Sequence, residues 1–360
     1  MSQRRWSVIV GSGSYLPARR VGNEAFVGAQ FFDSDGSAFE QSSDEIIDKF
    51  LRITGIAERR YVDDWLVASD IAALAAEEAF RTSGIDRESL DYLVVAHNFG
   101  DVAAGNRRSE LVPSIASRTK AKVGIRNPRC VAYDLPFGCP GWLQAVIQAD
   151  YFLRSGDAQR ALVIGAETLS RVSDPHDRDS MIYSDGAGAV ILEAVTAEEP
   201  VGVLAHAART DTIEHAWLLK MGRSCCPNFG DEALFLKMDG HKVYEYAVKT
   251  VPEVAEECLA KAGLTVSDVD KILIHQANAK MDEAIVKRLL RGAGLAAKAS
   301  ELTPMTVGWL GNSSVATLPT LFHLLVTEEV EQHSLSAGDV LLFASVGAGM
   351  NVNAVAYRMP

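Results

Sequence analysis

The 360-residue sequence lacks several features that define whole classes of protein. No apolar run approaches the roughly 18 residues of a membrane helix, so no membrane insertion is expected. Lys and Arg number 35 against 47 Asp and Glu, and the net charge of −12 disfavours nucleic acid or an anionic membrane surface as a partner. The five cysteines show no CxxC spacing, which argues against a disulfide framework or a zinc module, and no metal is predicted.

The composition that remains is that of an ordinary globular protein. With 48% hydrophobic and 23% charged residues, disorder and fibrous repeats are excluded. Short β-rich apolar runs alternate with helical patterns, which predicts an α/β fold with largely parallel, buried sheets. The apolar run at Trp6-Ser-Val-Ile-Val10 is short and meets Gly11, so it predicts a first strand rather than a signal peptide. A reducing, cytoplasmic location is therefore expected.

Two segments share one plan, which suggests a duplicated α/β unit. Residues 69–96 and 242–274 each run through a helical pattern, a glycine, an acidic turn and a strand. We therefore expect two similar halves, 1–197 and 198–360. Locally, residues 109–118 are predicted to be helical, and residues 31–41 are predicted to be a polar loop. Gly11-Ser-Gly-Ser is predicted to be a tight turn, because Leu16 and Pro17 break the dinucleotide-binding fingerprint.

Cys139 stands out among the cysteines. It follows an apolar strand and lies in Phe137-Gly-Cys-Pro-Gly-Trp142, before apolar residues at helical spacing. Pro140 is predicted at the first helical position, which places Cys139 at the helix cap. The positive end of the helix dipole would then lower the pKa of the thiol and make it a nucleophile. The alternative is a buried cysteine that acts as a small hydrophobe.

Two polar residues occupy similar strand-to-helix turns. His275 ends an apolar strand and opens Gln276-Ala-Asn278, at the kind of sheet edge where α/β proteins place functional groups. Asn312 follows Gly311 before a helical pattern. The alternatives are a satisfied core or capping histidine and an ordinary helix N-cap. Together, a Cys, a His and an Asn in this chain order point to thiol chemistry on acyl groups.

The same order leaves other functions open. A papain-like cysteine hydrolase also orders Cys, His and Asn, at a spacing that Cys139 and His275 satisfy, but its C-G-[SA]-C-[WY] signature is absent. A catalytically silent acyl-binding protein is a second alternative, although the three residues are intact.

Several motifs carry a resemblance that runs over nearly the full length. They are Gly11-Ser-Gly-Ser-Tyr-Leu-Pro17, Thr54-Gly-Ile56, Gly138-Cys-Pro-Gly141, Asp174-Pro-His-Asp-Arg178, Asp185-Gly-Ala-Gly-Ala189, His275-Gln-Ala-Asn278, Gly311-Asn-Ser-Ser314 and Gly347-Ala-Gly349. In this set and order the chain resembles the β-ketoacyl-acyl-carrier-protein synthase III family of the thiolase superfamily. The resemblance implies a thiolase-like five-layer αβαβα fold built from two similar halves, and a homodimer.

The resemblance also implies roles for individual residues. Cys139 matches the nucleophile, His275 and Asn312 match the decarboxylation pair, and the N–H groups of Cys139 and Ala348 match the oxyanion hole. Arg178 and Asn278 match coenzyme A contacts, although the aromatic expected opposite the adenine is Ile46 here. Val112 stands where acetyl-specific members carry a Phe in the acyl pocket. Basic residues on one helix match the surface that docks the acyl-carrier protein, namely Lys280, Lys287 and Arg288.

The implied reaction is a decarboxylative Claisen condensation. An acyl-CoA primer would load Cys139 and then condense with malonyl-acyl-carrier protein to give a 3-oxoacyl thioester, with no cofactor beyond these substrates. A specialised ketosynthase that joins longer chains into resorcinol- or quinolone-type products is the alternative within the family. A degradative thiolase needs a second cysteine near the C-terminal glycine turn, and the last cysteine here is Cys258.

Overall fold

The computed structural model describes residues 4–230 and 232–360. The strands in chain order are β1 (Arg4–Tyr15), β2 (Arg19–Gly22), β3 (Glu58–Tyr61), β4 (Tyr92–His97), β5 (Asp101–Val102), β6 (Ser109–Glu110), β7 (Val131–Pro136), β8 (Arg160–Thr168), β9 (Asp185–Ala197), β10 (Gly202–Thr210), β11 (Leu219–Gly222), β12 (Phe235–Met238), β13 (Lys271–Ile274), β14 (Val340–Gly347) and β15 (Asn351–Arg358). The α-helices are α1 (Ser43–Thr54), α2 (Ala68–Ser83), α3 (Ile115–Lys122), α4 (Gly141–Ser155), α5 (Gly240–Lys261), α6 (Ala279–Arg291), α7 (Ala299–Leu302), α8 (Val307–Leu310) and α9 (Thr317–Val326). Among the helices of the described residues, none is both long and apolar enough to cross a membrane.

Two sheets repeat the same strand plan. The first has the order β1-β9-β8-β4-β7 and the second the order β10-β15-β14-β13. In the first, β9 runs antiparallel to both neighbours while β8, β4 and β7 are parallel. In the second, β15 runs antiparallel to both neighbours while β14 and β13 are parallel. The fold is therefore built from two similar halves, and β7 is an additional edge strand of the first sheet.

The helices complete five layers. Side chains of α2 and α3 pack on the outer face of the first sheet, and those of α5 and α6 pack on the outer face of the second. Between the sheets, α4 and α9 contribute to one apolar core with residues of both. This is the αβαβα arrangement that the resemblance implies. Because the central core is shared by both sheets, the domain boundary at 197/198 stays a prediction.

Two local predictions are wrong. Gly11 and Gly13 do not form a turn but lie inside β1. An added Cβ at Gly11 would come within 2.7 Å of the Ala79 carbonyl oxygen, and one at Gly13 within 2.3 Å of the Ala75 carbonyl oxygen. The glycines instead let α2 lie directly on the strand. Residues 109–118 are not one helix, because β6 ends at Glu110 and α3 begins only at Ile115, after Pro113. A proline disfavours helical backbone in the residue before it.

Candidate active site

Cys139 lies immediately before α4, one residue further out than predicted. The helix begins at Gly141 and Pro140 is its cap, so Cys139 precedes the cap. Burial, together with the charge of the nearby Glu167, raises the pKa of the Cys139 thiol to about 11, although a hydrogen bond from Ser314 acts in the opposite direction. The predicted lowering of this pKa is wrong, because loss of solvation disfavours the thiolate more than its surroundings favour it.

Two backbone segments meet at Cys139. An ideal Cβ on Gly138 would lie 2.9 Å from the nitrogen of Ala348, and one on Gly347 would lie 2.6 Å from the nitrogen of Cys139. Gly138 also has a φ of +75°, in the left-handed region that favours glycine. Side chains at either glycine would drive the segments apart. The glycines thus bring the N–H groups of Cys139 and Ala348 to the same small region, and Ala348 itself keeps a negative φ.

His275 follows β13 beside β14, the strand whose end touches Cys139. Its backbone N–H donates to Ala344 at 2.8 Å, and its imidazole is buried, with no hydrogen-bond partner for Nδ1 among the described residues. Burial lowers the pKa of His275 to about 4, because the ring would lose solvation as a cation. The imidazole is therefore neutral at physiological pH and has one N–H to donate.

Gln276 fastens the His275 turn to the segment that leads to Asn312. Its side-chain oxygen accepts hydrogen bonds from the backbone nitrogens of Thr306 at 2.8 Å and Val307 at 2.9 Å. Its side-chain nitrogen donates to the carbonyl of Pro304 at 2.8 Å. All polar atoms of this buried amide group have partners, so the two turns are held together rigidly.

Asn312 is not the ordinary helix cap of the alternative interpretation, since α9 begins at Thr317 with Ala316 as its cap. Its backbone nitrogen donates to Ile182 at 3.0 Å, and its backbone oxygen accepts from Ser184 at 2.8 Å. Its side-chain oxygen accepts from the backbone nitrogen of Ser314 at 2.8 Å. This contact assigns the amide orientation and leaves Nδ2 as the donor that can face a substrate.

Ser314 connects Asn312 to the sulfur. Its Oγ lies 3.3 Å from Cys139 Sγ and accepts from Asn98 Nδ2 at 3.0 Å. Its φ of +53° is left-handed, which costs a non-glycine residue about 1–3 kcal/mol and persists only where the surroundings impose it. Ser314 belongs to a motif of the resemblance, but its sequence position alone does not show a contact with Cys139.

Asn98 and Glu167 are site residues that sequence reasoning missed. Glu167 is buried near the end of β8, and its Oε2 accepts from the backbone nitrogen of Asn98 at 3.0 Å and from its Nδ2 at 2.6 Å. Burial raises the pKa of Glu167 to about 7. A signal was available, because Asn98 follows β4 and Glu167 ends β8, at the carboxyl edge of the sheet where functional groups gather.

Arg178 lies at the start of a short 3-10 segment and places its guanidinium over the ring of Phe39, 4.8 Å from the ring centroid. Phe39 belongs to the segment 31–41, which was predicted to be a polar loop. There Phe32 and Ala38 pair as in a small hairpin, and the Phe32 N–H donates to His176 at 2.9 Å. Ile46, which stands where the resemblance implies an aromatic, is buried in an apolar cluster against which Phe39 also packs.

A buried ion cluster anchors the segment next to Arg178. Asp174, Asp177 and Cys225 bring potential metal-ligand atoms within 4.8 Å of one another. The amino group of Lys237 fills the space between them, at 2.5 Å from Asp174, 3.0 Å from Asp177 and 2.9 Å from the Cys225 sulfur. These contacts raise the pKa of Lys237 despite its burial, so its charged ammonium group holds the two carboxylates and the cysteine together.

Among the described residues, the remaining predicted ones make no hydrogen bond or ion pair with Cys139. The side chain of Asn278 caps α6 by accepting from the Met281 nitrogen at 2.8 Å. Val112 is 90% exposed at the protomer surface and lines no interior space with Cys139. Three basic side chains are exposed on α6, and one of them, Lys287, pairs with Glu283; the three are Lys280, Lys287 and Arg288. Their roles in substrate and carrier binding stay predictions.

Known proteins match the chain along most of its length. Models of 3-oxoacyl-acyl-carrier-protein synthase III and of its C-terminal part match residues 133–212 and 259–359. The β-ketoacyl-acyl-carrier-protein synthase III of Xanthomonas campestris pv. campestris is 35% identical over 355 residues, which are 97% of each chain.

Solved structures agree with this match. The synthase III of Thermus thermophilus has a TM-score of 0.79 and 29% identity, covering 98% of this chain and 99% of its own. The priming β-ketosynthase of the R1128 polyketide pathway has a TM-score of 0.80 and 25% identity, and the match covers 100% of this chain and 98% of that one. The papain-like hydrolase and the silent binding protein are thereby removed as alternatives. The chain belongs to the 3-oxoacyl-acyl-carrier-protein synthase III family and is an acyltransferase-type condensing enzyme of thiolase fold.

Proposed function

We propose that this chain condenses an acyl thioester primer with a malonyl thioester through an acyl-Cys139 intermediate. The observation that carries the proposal is the position of Ser314, whose hydroxyl contacts Cys139 Sγ at 3.3 Å and whose backbone N–H contacts the side-chain oxygen of Asn312 at 2.8 Å. A single residue thus links a nucleophile candidate to a hydrogen-bond donor from the other half of the chain. That arrangement suits a reaction in which the acyl group and the second thioester meet.

In the first half-reaction the Cys139 sulfur attacks the primer carbonyl. Because burial raises the pKa of this thiol, its proton must leave as the C–S bond forms, and the departing primer thiol takes up one proton in the balanced reaction. The carbonyl oxygen becomes negative in the tetrahedral intermediate. The N–H groups of Cys139 and Ala348, brought together by Gly138 and Gly347, would stabilise it as an oxyanion hole.

In the second half-reaction a malonyl thioester loses carbon dioxide. The electron pair of the breaking C–C bond forms an enolate, whose oxygen accepts hydrogen bonds from neutral His275 and from Nδ2 of Asn312. Each donor would contribute about 3–4 kcal/mol to the transition state, judged by oxyanion-hole losses in other enzymes. The enolate carbon then attacks the acyl-Cys139 carbonyl, a new C–C bond forms, and the acyl–sulfur bond breaks to return the Cys139 thiolate, which regains a proton.

The proposed substrates are an acyl-CoA primer and malonyl-acyl-carrier protein. The matching relatives are named as synthases that act with an acyl-carrier protein. Exposed Lys280, Lys287 and Arg288 on α6 offer positive charge to an acidic carrier, although the chain as a whole carries −12. Arg178, with Phe39 beside it, would hold the adenine of coenzyme A by stacking.

A homodimer is part of this proposal. The edge strand β7 is only half-buried, with Val131 50% exposed. Leu111 and Val112 are also exposed, and Val112 lies at the surface of its own protomer. A second copy that pairs along this edge would bury the apolar side chains and satisfy the free strand edge. Val112 would then floor the acyl pocket of the partner subunit.

A second candidate concerns the product. The small side chain at Val112, where acetyl-specific members carry an aromatic ring, favours primers longer than acetyl. A specialised ketosynthase that joins longer acyl chains therefore stands beside initiation of ordinary fatty acids. Loading the protein with a series of acyl-CoA primers of increasing length, read by intact mass, separates the two.

The nucleophile is tested by acylation of cysteine variants. Cys139→Ala should abolish the acyl-enzyme mass shift seen with wild type. Substitution of any other cysteine by alanine should leave the shift unchanged; these controls are Cys130, Cys225, Cys226 and Cys258. A wild-type mass shift on Cys139→Ala would overturn the assignment.

The decarboxylation pair is tested by separating the half-reactions. His275→Ala and Asn312→Ala should still form the acyl-enzyme but should lose malonyl decarboxylation by about a hundredfold or more, as the loss of one oxyanion donor does elsewhere. Decarboxylation of the malonyl thioester at the wild-type rate by either variant would remove that residue from the proposed pair.

A further inference from the structure

A chain of hydrogen bonds runs from a buried carboxyl group to the candidate nucleophile. Glu167 Oε2 accepts from both the backbone nitrogen and Nδ2 of Asn98, at 3.0 and 2.6 Å. The same Nδ2 donates to Ser314 Oγ at 3.0 Å, and Ser314 Oγ lies 3.3 Å from Cys139 Sγ. A carboxylate accepts hydrogen bonds and would repel an amide oxygen, so Asn98 must turn its NH₂ group towards Glu167.

The orientation of Asn98 sets the direction of the next bond. An amide NH₂ has two hydrogens, and here one points to Glu167 and the other to Ser314. Ser314 Oγ is therefore the acceptor in its contact with Asn98, which leaves its own O–H for the sulfur of Cys139. A hydroxyl that donates to sulfur stabilises the thiolate more than the thiol.

We propose that Ser314 is a positioning residue for the nucleophile, whose hydroxyl is held as a donor to Cys139 Sγ by Asn98 and Glu167. The inference rests on the proposed function only in taking Cys139 as the nucleophile. It assigns to Ser314 the task of raising the thiolate fraction of a sulfur that burial would otherwise keep protonated, and to Asn98 and Glu167 the task of fixing the direction of the Ser314 hydroxyl.

Ser314 serves the two half-reactions with different atoms. Its hydroxyl faces Cys139, and its backbone N–H holds the side-chain oxygen of Asn312 at 2.8 Å. A variant without the hydroxyl keeps the backbone N–H. Mutation can therefore remove the hydroxyl contact and keep the backbone contact.

Several titratable groups surround the sulfur and shape its pH response. Glu167 of β8 and Tyr183 lie close enough for their charges to interact with that of Cys139. His97 at the end of β4 and Asp185 at the start of β9 interact in turn with Glu167. Burial raises the pKa of Glu167 to about 7, so at alkaline pH its carboxylate accepts the Asn98 hydrogens most strongly while its charge opposes the thiolate.

The experiment measures the rate of Cys139 alkylation by iodoacetamide against pH. Removal of one hydrogen bond to a charged group should raise the apparent pKa of the thiol by about one to two units, which slows alkylation about ten- to hundredfold at a fixed pH below it. We expect this shift for Ser314→Ala and for Ser314→Gly. Ser314→Gly also accommodates the φ of +53° without strain, so it guards against misfolding.

Ser313→Ala is the matched control, because its side chain lies in the same turn without a contact to Cys139, and its alkylation profile should match wild type. Asn98→Ala should raise the thiol pKa in the same direction by a smaller amount, since the Ser314 hydroxyl remains but loses its imposed direction. Unchanged alkylation profiles for both Ser314 variants would overturn the inference. So would slower alkylation at every pH with no shift of the apparent pKa, which is what a merely structural role of Ser314 predicts.

Failure of the proposed function gives a different result. If Cys139 is not the nucleophile, the wild-type protein forms no acyl-enzyme on it, whatever the pH profile of Ser314→Ala. If only the inference fails, the wild-type protein acylates Cys139 normally and the Ser314 variants alkylate as wild type does.

Discussion

The guanidinium of Arg178 stacks on the ring of Phe39, 4.8 Å from the ring centroid. The two residues come from distant parts of the chain, and the hairpin that carries Phe39 is docked on the segment that carries Arg178 through the Phe32 to His176 hydrogen bond. The position where the resemblance implies an aromatic opposite the adenine holds Ile46, which is buried in an apolar cluster. Phe39 thus supplies an aromatic side chain to Arg178 from a different element.

This pair predicts a role for Phe39 in binding coenzyme A. Phe39→Ala should raise the KM for acyl-CoA about two- to fivefold, because an exposed cation–π contact that orients Arg178 is lost. The same reaction with an acyl-N-acetylcysteamine thioester, which has no adenine, is the control and should be unchanged. A lower KM for acyl-CoA would mean that Phe39 blocks the adenine site and would contradict the prediction.

The buried imidazole of His275 predicts a pH-dependent stability. Its pKa is lowered to about 4 in the folded protein, against 6.5 for an ordinary histidine. Between these values the unfolded chain binds a proton that the native protein does not, so the free energy of unfolding falls as the pH falls from about 6.5 to 4. The full effect is roughly 2–4 kcal/mol.

His275→Gln isolates this contribution. Glu167 changes the free energy of unfolding in the opposite direction. Burial raises its pKa to about 7, so between its ordinary pKa and pH 7 the native protein holds a proton that the unfolded chain does not. Chemical denaturation at pH 7 and pH 4.5 should therefore show a smaller loss of stability for His275→Gln than for wild type. Equal losses in the two proteins would show that His275 is not held neutral.

The exposed basic residues of α6 predict where the carrier protein docks. Arg288→Glu should raise the KM for malonyl-acyl-carrier protein and spare loading by acyl-CoA. Lys287→Glu should have a smaller effect, because Lys287 already pairs with Glu283. Arg81→Glu is the charge-matched control, on α2 in the outer layer of the other sheet. Steady-state kinetics with both substrates check this, and equal effects of Arg288→Glu and Arg81→Glu would argue against docking on α6.

The side chain at position 112 predicts the length of the primer. Val112→Phe should shift preference from hexanoyl- or octanoyl-CoA towards acetyl-CoA, because an aromatic ring would fill space that several methylenes can occupy in the proposed acyl pocket of the partner subunit. Each buried methylene contributes about 0.8 kcal/mol, so the preference should change about fourfold for each methylene excluded. Competition between primers, read by intact mass, measures it. Efficient loading of acetyl-CoA with rejection of octanoyl-CoA by the wild-type protein would contradict the prediction.

Much of the fold follows from local pattern. The alternation of apolar strands and helices, with a glycine and an acidic turn between them, predicted the α/β class, and the two related segments correspond to α2 with β4 and α5 with β13. These features depend on residues close in the chain, where periodicity and turn chemistry act directly. The prediction for residues 109–118 failed because the proline there interrupts an otherwise helical pattern.

The sequence by itself determined which residue types stand at which strand ends: Cys139, His275 and Asn312, with glycines at 138 and 347. Only the tertiary structure decided that the Cys139 thiol has a raised pKa, that Ser314 turns its hydroxyl to the sulfur, and that Phe39 lies beside Arg178. Solvation, charge and the direction of a hydrogen bond depend on distances between groups far apart in the chain. Those distances exist only once the two halves have packed around α4 and α9.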